Sequence, residues 1–172
     1  MEEWPTTHRR AENEAFRSPE IKCLCLSSRE KGIRLEVIWF DADVTEVMVQ
    51  CSNGRFEGTA GIYLSHNEHL DIARVVLGGF PSRINDSRTI EVGTFNPAHA
   101  DRGLRVEQRC ADSSGHVLAD TQLRGDGCKV LGEVESVALR LRVEPAAIDS
   151  FVQQLKTMNV AVGARAFLTG AI

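Results

Sequence analysis

The chain lacks an apolar run of the ~20 residues that a membrane-spanning helix needs, and its start shows no charged-then-apolar signal pattern. A cytoplasmic protein with no membrane association is expected. C-x-x-C spacing is absent, and the five cysteines (Cys23, Cys25, Cys51, Cys110 and Cys128) are odd in number. Reduced thiols fit that pattern better than a disulfide framework. A basic excess is missing too: 20 lysines and arginines face 24 acidic residues, for a net charge of −4. A surface that tracks phosphates normally needs the opposite balance, so no nucleic-acid partner is expected. There is no G-x-x-x-x-G-K-[ST] phosphate loop, no G-x-G-x-x-G fingerprint, no H-E-x-x-H and no G-x-S-x-G elbow. No cofactor and no catalytic residue is therefore assigned, and the expectation leans away from an enzyme.

What is present is ordinary globular material. Apolar residues make up 42% of the 172 positions and charged residues 26%, enough for one domain with a real core. The pattern is clearest from Glu46 to Pro81. Val47, Val49 and Cys51 alternate with polar neighbours, as do Phe56, Ala60, Ile62 and Leu64 after Asn53-Gly54. Period two marks strands with one buried face. Asn-Gly predicts a two-residue type I′ turn, placing Cys51 opposite Phe56 and Val47 opposite Ala60. Gly58 and Gly61 mark a bulge or a close backbone approach. Ser65 and Glu68 then form a capping box, Leu70, Ala73 and Leu77 make a helical stripe, and Gly78-Gly79 before Pro81 stops the helix.

The remaining chain reads as strands near 21–27, 33–40, 89–95, 104–111, 116–124 and 136–143, with a second helix over 145–158. Ile33, Leu35, Val37 and Trp39 are expected to share one face of their strand. Pro145 opens the second helix, and Ile148, Phe151, Val152 and Leu155 form its buried side. Residues 1–20 read as a flexible leader, and 159–172 as a tail or an edge strand. Set side by side, the halves give ββββα twice (21–80 and 89–158), with Cys51 and Cys110 each just before a hairpin turn. The predicted fold is α+β, a mainly antiparallel sheet with duplicated ββββα units and two helices packed on it, in one domain spanning 21–158.

Several clusters invite a chemical reading. His66-Asn67-Glu68-His69 sets two imidazoles in one helical turn, but the zincin spacing is absent and no third ligand stands out, so no metal is assigned. Cys23 and Cys25 share a strand face and are read as core. Asp41, Asp43 and Glu46 cluster at a strand end, where aspartate is a normal turn residue. Trp39 beside them reads as a core residue or an interface anchor. Asp112-Ser113-Ser114-Gly115-His116 holds the residue types of a hydrolase triad, yet a hairpin loop explains the run better.

The run Trp39 to Leu64 (WFDADVTEVMVQCSNGRFEGTAGIYL), with its following helix and Gly79-Phe80-Pro81, resembles a family of small uncharacterised bacterial cytosolic proteins. Some proteins of that look are similar to immunity proteins of toxin systems. The resemblance implies a non-catalytic protein-binding domain, an immunity-like inhibitor, whose acidic balance suits a basic protein partner. The alternative is a small-ligand protein or enzyme with a site on the concave sheet face. Trp39, Asp41, Asp43, His66 and His69 are the candidate binding residues in either case. A pocket separates the two: a deep cavity with converging polar groups supports a ligand site, whereas a filled core with an exposed patch supports a docking surface. No feature of the sequence specifies an oligomeric state.

Overall fold

The structure, a computed structural model, describes residues 30–95, 102–125 and 135–171. The leader at 1–20, the strand expected at 21–27, Cys23, Cys25 and Cys128 lie outside the described residues. In chain order the elements are β1 (Gly32–Phe40), β2 (Val44–Ser52), β3 (Glu57–Ser65), α1 (Glu68–Asp71, continuing as a wide π turn over Ile72–Val76), β4 (Ser87–Gly93), β5 (Gly103–Cys110), β6 (Val117–Arg124), β7 (Ser136–Val143), α2 (Pro145–Thr157) and β8 (Arg165–Thr169). They form two four-stranded antiparallel sheets, ordered β3-β2-β1-β8 and β4-β5-β6-β7. The α+β class with antiparallel pairing is as predicted.

The alternation seen in the sequence becomes burial. Ile33, Leu35, Val37, Val47, Val49, Ala60, Ile62 and Leu64 face inward from the first sheet, and Ile90, Val92, Leu104, Val106, Ala119, Leu139 and Leu141 from the second. These residues belong to one continuous core. Burying each large aliphatic side chain is worth about 1.5–3 kcal/mol, so the two inward faces hold the domain together. At Gly58 the approach of the sheets is close: a Cβ there would lie 2.4 Å from Cγ1 of Val137. Gly58 therefore marks a close approach, and the β2–β3 ladder runs through it without a bulge. Two polar side chains interrupt the inner face of the second sheet. Gln108 and the Thr121 hydroxyl are buried with no hydrogen-bond partner among the described residues.

Three details depart from expectation. The Asn53-Gly54 hairpin closes by four residues, pairing Ser52 with Glu57 and Val47 with Ile62. Asn53 keeps a negative φ and turns the chain with its side chain, Oδ1 accepting from the backbone N–H of Arg55 (3.0 Å) and Phe56 (2.9 Å). The ladder thus slips by two residues, which preserves every inward-facing side chain but leaves Phe56 in solvent. The second departure is in β1, where the register shifts between Val37 and Trp39 and Ile38 becomes an extra residue. Trp39 is consequently turned off the inward face. Third, the first sheet is completed by β8, from the far end of the chain, pairing Gly32–Glu36 with Arg165–Thr169. The first half is therefore closed by an edge strand that follows α2. Cys51 near the end of β2 and Cys110 at the end of β5 each stand just before a hairpin turn, as read, and each strand is one in from a sheet edge.

The second helix is as read, whereas the first starts at Glu68 with Asn67 as its N-cap, widens into the π turn, and leaves Leu70 only partly buried. Glu68 still reaches back to the Ser65 backbone N–H (3.0 Å), and Gly79 has φ +70° at the stop. Glu144 is extended, Pro145 opens α2, and Ile148, Phe151, Val152 and Leu155 are buried. This helix packs on β8 and on the first helix, so both helices close the sides of the two-sheet core. No helix among the described residues is long and apolar enough to cross a membrane.

Candidate functional site

The β1 bulge defines the most distinctive surface. Because Ile38 is the extra residue, Trp39 sits opposite Glu46, and Glu46 opposite Tyr63 on the next strand. Glu46 lies between the inward-facing Thr45 and Val47, so this row faces out. Trp39 is 46% exposed and Tyr63 52%, while Phe40 at the strand end pairs with the inward-facing Thr45 and so lies on the other face. Gly61 makes room for the central carboxylate: a Cβ there would lie 2.9 Å from Oε1 of Glu46. Arg102, just before β5, reaches the same oxygen at 3.5 Å and links the row to the second sheet.

The β1–β2 turn closes over the end of this row. Asp41 Oδ1 accepts hydrogen bonds from the backbone N–H of Asp43 (2.8 Å) and Val44 (3.0 Å). Those bonds, Val44's above all, hold the Asp41 carboxyl below the ordinary aspartate range, and the nearby His66 adds a smaller pull in the same direction. Asp43 is exposed. Since Val44 pairs with Ser65, the turn stands beside His66, whose Nδ1 is buried without a hydrogen-bond partner among the described residues. The structure thus gathers Trp39, Asp41, Asp43 and His66 at one end of the first sheet.

His69 does not join them. It is buried, and desolvation lowers its pKa while a hydrogen bond to the Met158 backbone opposes the shift. It pins α1 to the C-terminal end of α2 as a neutral core histidine. The two imidazoles therefore do not converge, and no group of metal-ligating side chains is found among the described residues.

The Asp112–His116 run is a hairpin turn, as expected, and its wiring is specific. Asp112 Oδ2 lies 2.6 Å from His116 Nδ1, and Glu144 Oε2 lies 3.0 Å from Nε2. A triad base needs one ring nitrogen facing its nucleophile. Here carboxylates engage both, so His116 ties the β5–β6 turn to the start of α2. Cys51 is buried with its thiol pushed up to about 12 by desolvation, and Cys110 donates to the Asp112 carbonyl at 3.3 Å. Both cysteines serve as core.

Sequence reasoning missed Tyr63 and Arg102 as parts of the surface. Tyr63 was legible as the outward position of its strand, whereas Arg102 depends on contact between the sheets. The chain matches no known family model, no curated protein and no solved structure.

Proposed function

We propose that this chain is a non-catalytic protein-binding domain that docks a basic partner through the Trp39–Glu46–Tyr63 row and its acidic turn. The observation that carries this reading is the bulge at Ile38, which brings Trp39 into solvent on the same row as the outward-facing Tyr63, beside the acidic turn. Large aromatics dominate the energetics of protein interfaces, and solvent exposure of several together is uncommon without a partner. Asp41 and Asp43 supply the negative charge that a basic surface complements, favouring fast association and correct orientation. An immunity-like role, in which the partner is a bacterial toxin, is the form of this function that the sequence resemblance implies.

The ligand-binding alternative requires interior space. The gap where both sheets and both helices meet, lined by residues such as Leu35, Val92, Phe151 and Leu168, has a volume of about 20 Å³ and an entirely apolar lining. That leaves room for about one water between apolar walls, far below the roughly 300–1,000 Å³ of a ligand pocket. The polar groups gathered near Asp41 lie at the surface and do not line that gap. Both facts favour docking over enclosure.

The test is capture by immobilised wild-type protein beside the Trp39→Ala/Tyr63→Ala double variant, from lysate of the source organism. A basic protein retained by wild type, released by salt and absent from the variant supports the reading. Identical captured proteins on both columns would sink it.

A further inference from the structure

The outward face of the second sheet is a separate, oppositely charged surface. The strand register sets out its rows. Glu91, Arg105, Gln122 and Ala138 form one; Thr89, Glu107, Asp120 and Arg140 the next; Ser87, Arg109, Leu118 and Arg142 the third. An open groove of about 600 Å³ runs across the first two rows, from Arg105 to Arg140. Neither helix packs over it. Within the groove the charges are largely matched. Arg105 bonds Glu91 at 2.8 Å, and Arg140 grips both oxygens of Asp120 at 2.5 and 2.8 Å.

The third row differs. Arg109 and Arg142 are both exposed, and neither closes an ion pair among the described residues, although Arg109 lies near enough to Asp120 to help hold its carboxyl down. Half-buried Leu118 lies between them as the cross-strand neighbour of each. Two strand spacings separate these guanidinium-bearing positions by about 10 Å. On an extended chain of polyproline type, residues three apart lie about 9.3 Å apart and point the same way.

We propose that the Arg109–Leu118–Arg142 row, with the groove beside it, is a docking surface for an extended acidic segment of a protein partner, carrying carboxylates three residues apart. Each arginine takes one carboxylate through its planar fork, and Leu118 receives the aliphatic part of the residue between. An acidic peptide fits better than a polynucleotide for two reasons. Glu107 and Asp120 stand in the same groove and repel a continuous phosphate backbone. The three rows also carry no aromatic side chain on which bases would stack. This surface is distinct from the Trp39 row and does not depend on it.

The full chain tests the proposal by fluorescence anisotropy with a labelled Glu-Ser-Ser repeat peptide at about 50 mM salt. The expected result is saturable binding that weakens at least roughly tenfold in Arg109→Gln/Arg142→Gln. Trp39→Ala/Tyr63→Ala should bind the peptide as wild type does. Arg109→Glu/Arg142→Glu should instead take up a Lys-Ser-Ser peptide. Melting curves of the glutamine variant should match wild type, because both side chains are on the surface. Equal peptide binding by wild type and the glutamine variant, or no binding by wild type, overturns the proposal. So does tighter binding of a thymidine oligonucleotide than of the peptide, which would make this a nucleic-acid surface.

Discussion

Replacing Gly58 with alanine puts a methyl group into a close contact between the two sheets. The new Cβ would stand 2.4 Å from Cγ1 of Val137, 3.2 Å from its Cβ and 3.7 Å from Cδ2 of Leu123. Ordinary carbon contacts sit at about 3.5–4.0 Å, so the sheets must part by more than an ångström or Val137 must leave its rotamer. Valine is stiff at χ1, and Val137 is held by its pairing with Leu123. Overpacking of this kind costs about 1–3 kcal/mol, against which alanine recovers about 0.5–1 kcal/mol over glycine in a strand. A net loss of about 1–2 kcal/mol, or about 2–8 °C in melting temperature for a chain of this size, is expected by urea and thermal denaturation. Val137→Ala removes the obstructing methyls, so the double variant should be more stable than the two single losses add up to, by about 1 kcal/mol. A Gly58→Ala protein as stable as wild type, or strict additivity in the cycle, refutes the face-to-face packing of β3 on β7.

Gln108→Met replaces a buried, unpartnered amide with an apolar side chain of similar length, and should raise stability by about 1–2 kcal/mol in urea titrations; a loss would mean the amide has a partner. His69 has a folded pKa below its unfolded value of about 6.5, so the unfolded chain takes the proton first. Its contribution is fully present above pH ~6.5 and is lost as pH falls from there through the lowered folded pKa. The wild-type minus His69→Leu stability difference should therefore shrink between pH 7.5 and 5.5, and a constant difference contradicts this. Asp41, Asp86, Asp112 and Asp120 all have lowered pKa values. Their joint contribution is present above the unfolded value of about 4 and falls away below it, and Asp41→Asn should flatten that acid limb of the denaturation curve.

Most of the fold was legible because period-two and period-3.6 patterns decide which side chains are buried. Ile148, Phe151, Val152 and Leu155 lie where their spacing put them, and β7 occupies the very residues its alternation marked. Features that depend on one extra residue were not legible. Nothing in the sequence around Ile38 announces a bulge, since Val37, Ile38 and Trp39 are all good strand residues. Yet that one residue decides whether Trp39 is core or surface. The Asn53-Gly54 signal located the turn correctly, but its length followed from the Asn53 carboxamide bonding two backbone N–H groups. Long-range partners were equally hidden: β8 beside β1, Glu144 on His116 and Arg102 on Glu46 join positions far apart in the chain. At the candidate surface, Asp41, Asp43 and Trp39 were legible as neighbours because they lie together at one strand end. His69 was misplaced because polarity alone does not show that a helix turns a histidine inward.

Native mass spectrometry of the chain purified gently from its source organism separates a docking surface from an enclosed ligand site in one spectrum. The account predicts the mass of the chain together with a second protein, reduced to the bare chain in Trp39→Ala/Tyr63→Ala. A small-molecule adduct of a few hundred daltons that persists in the double variant would contradict it.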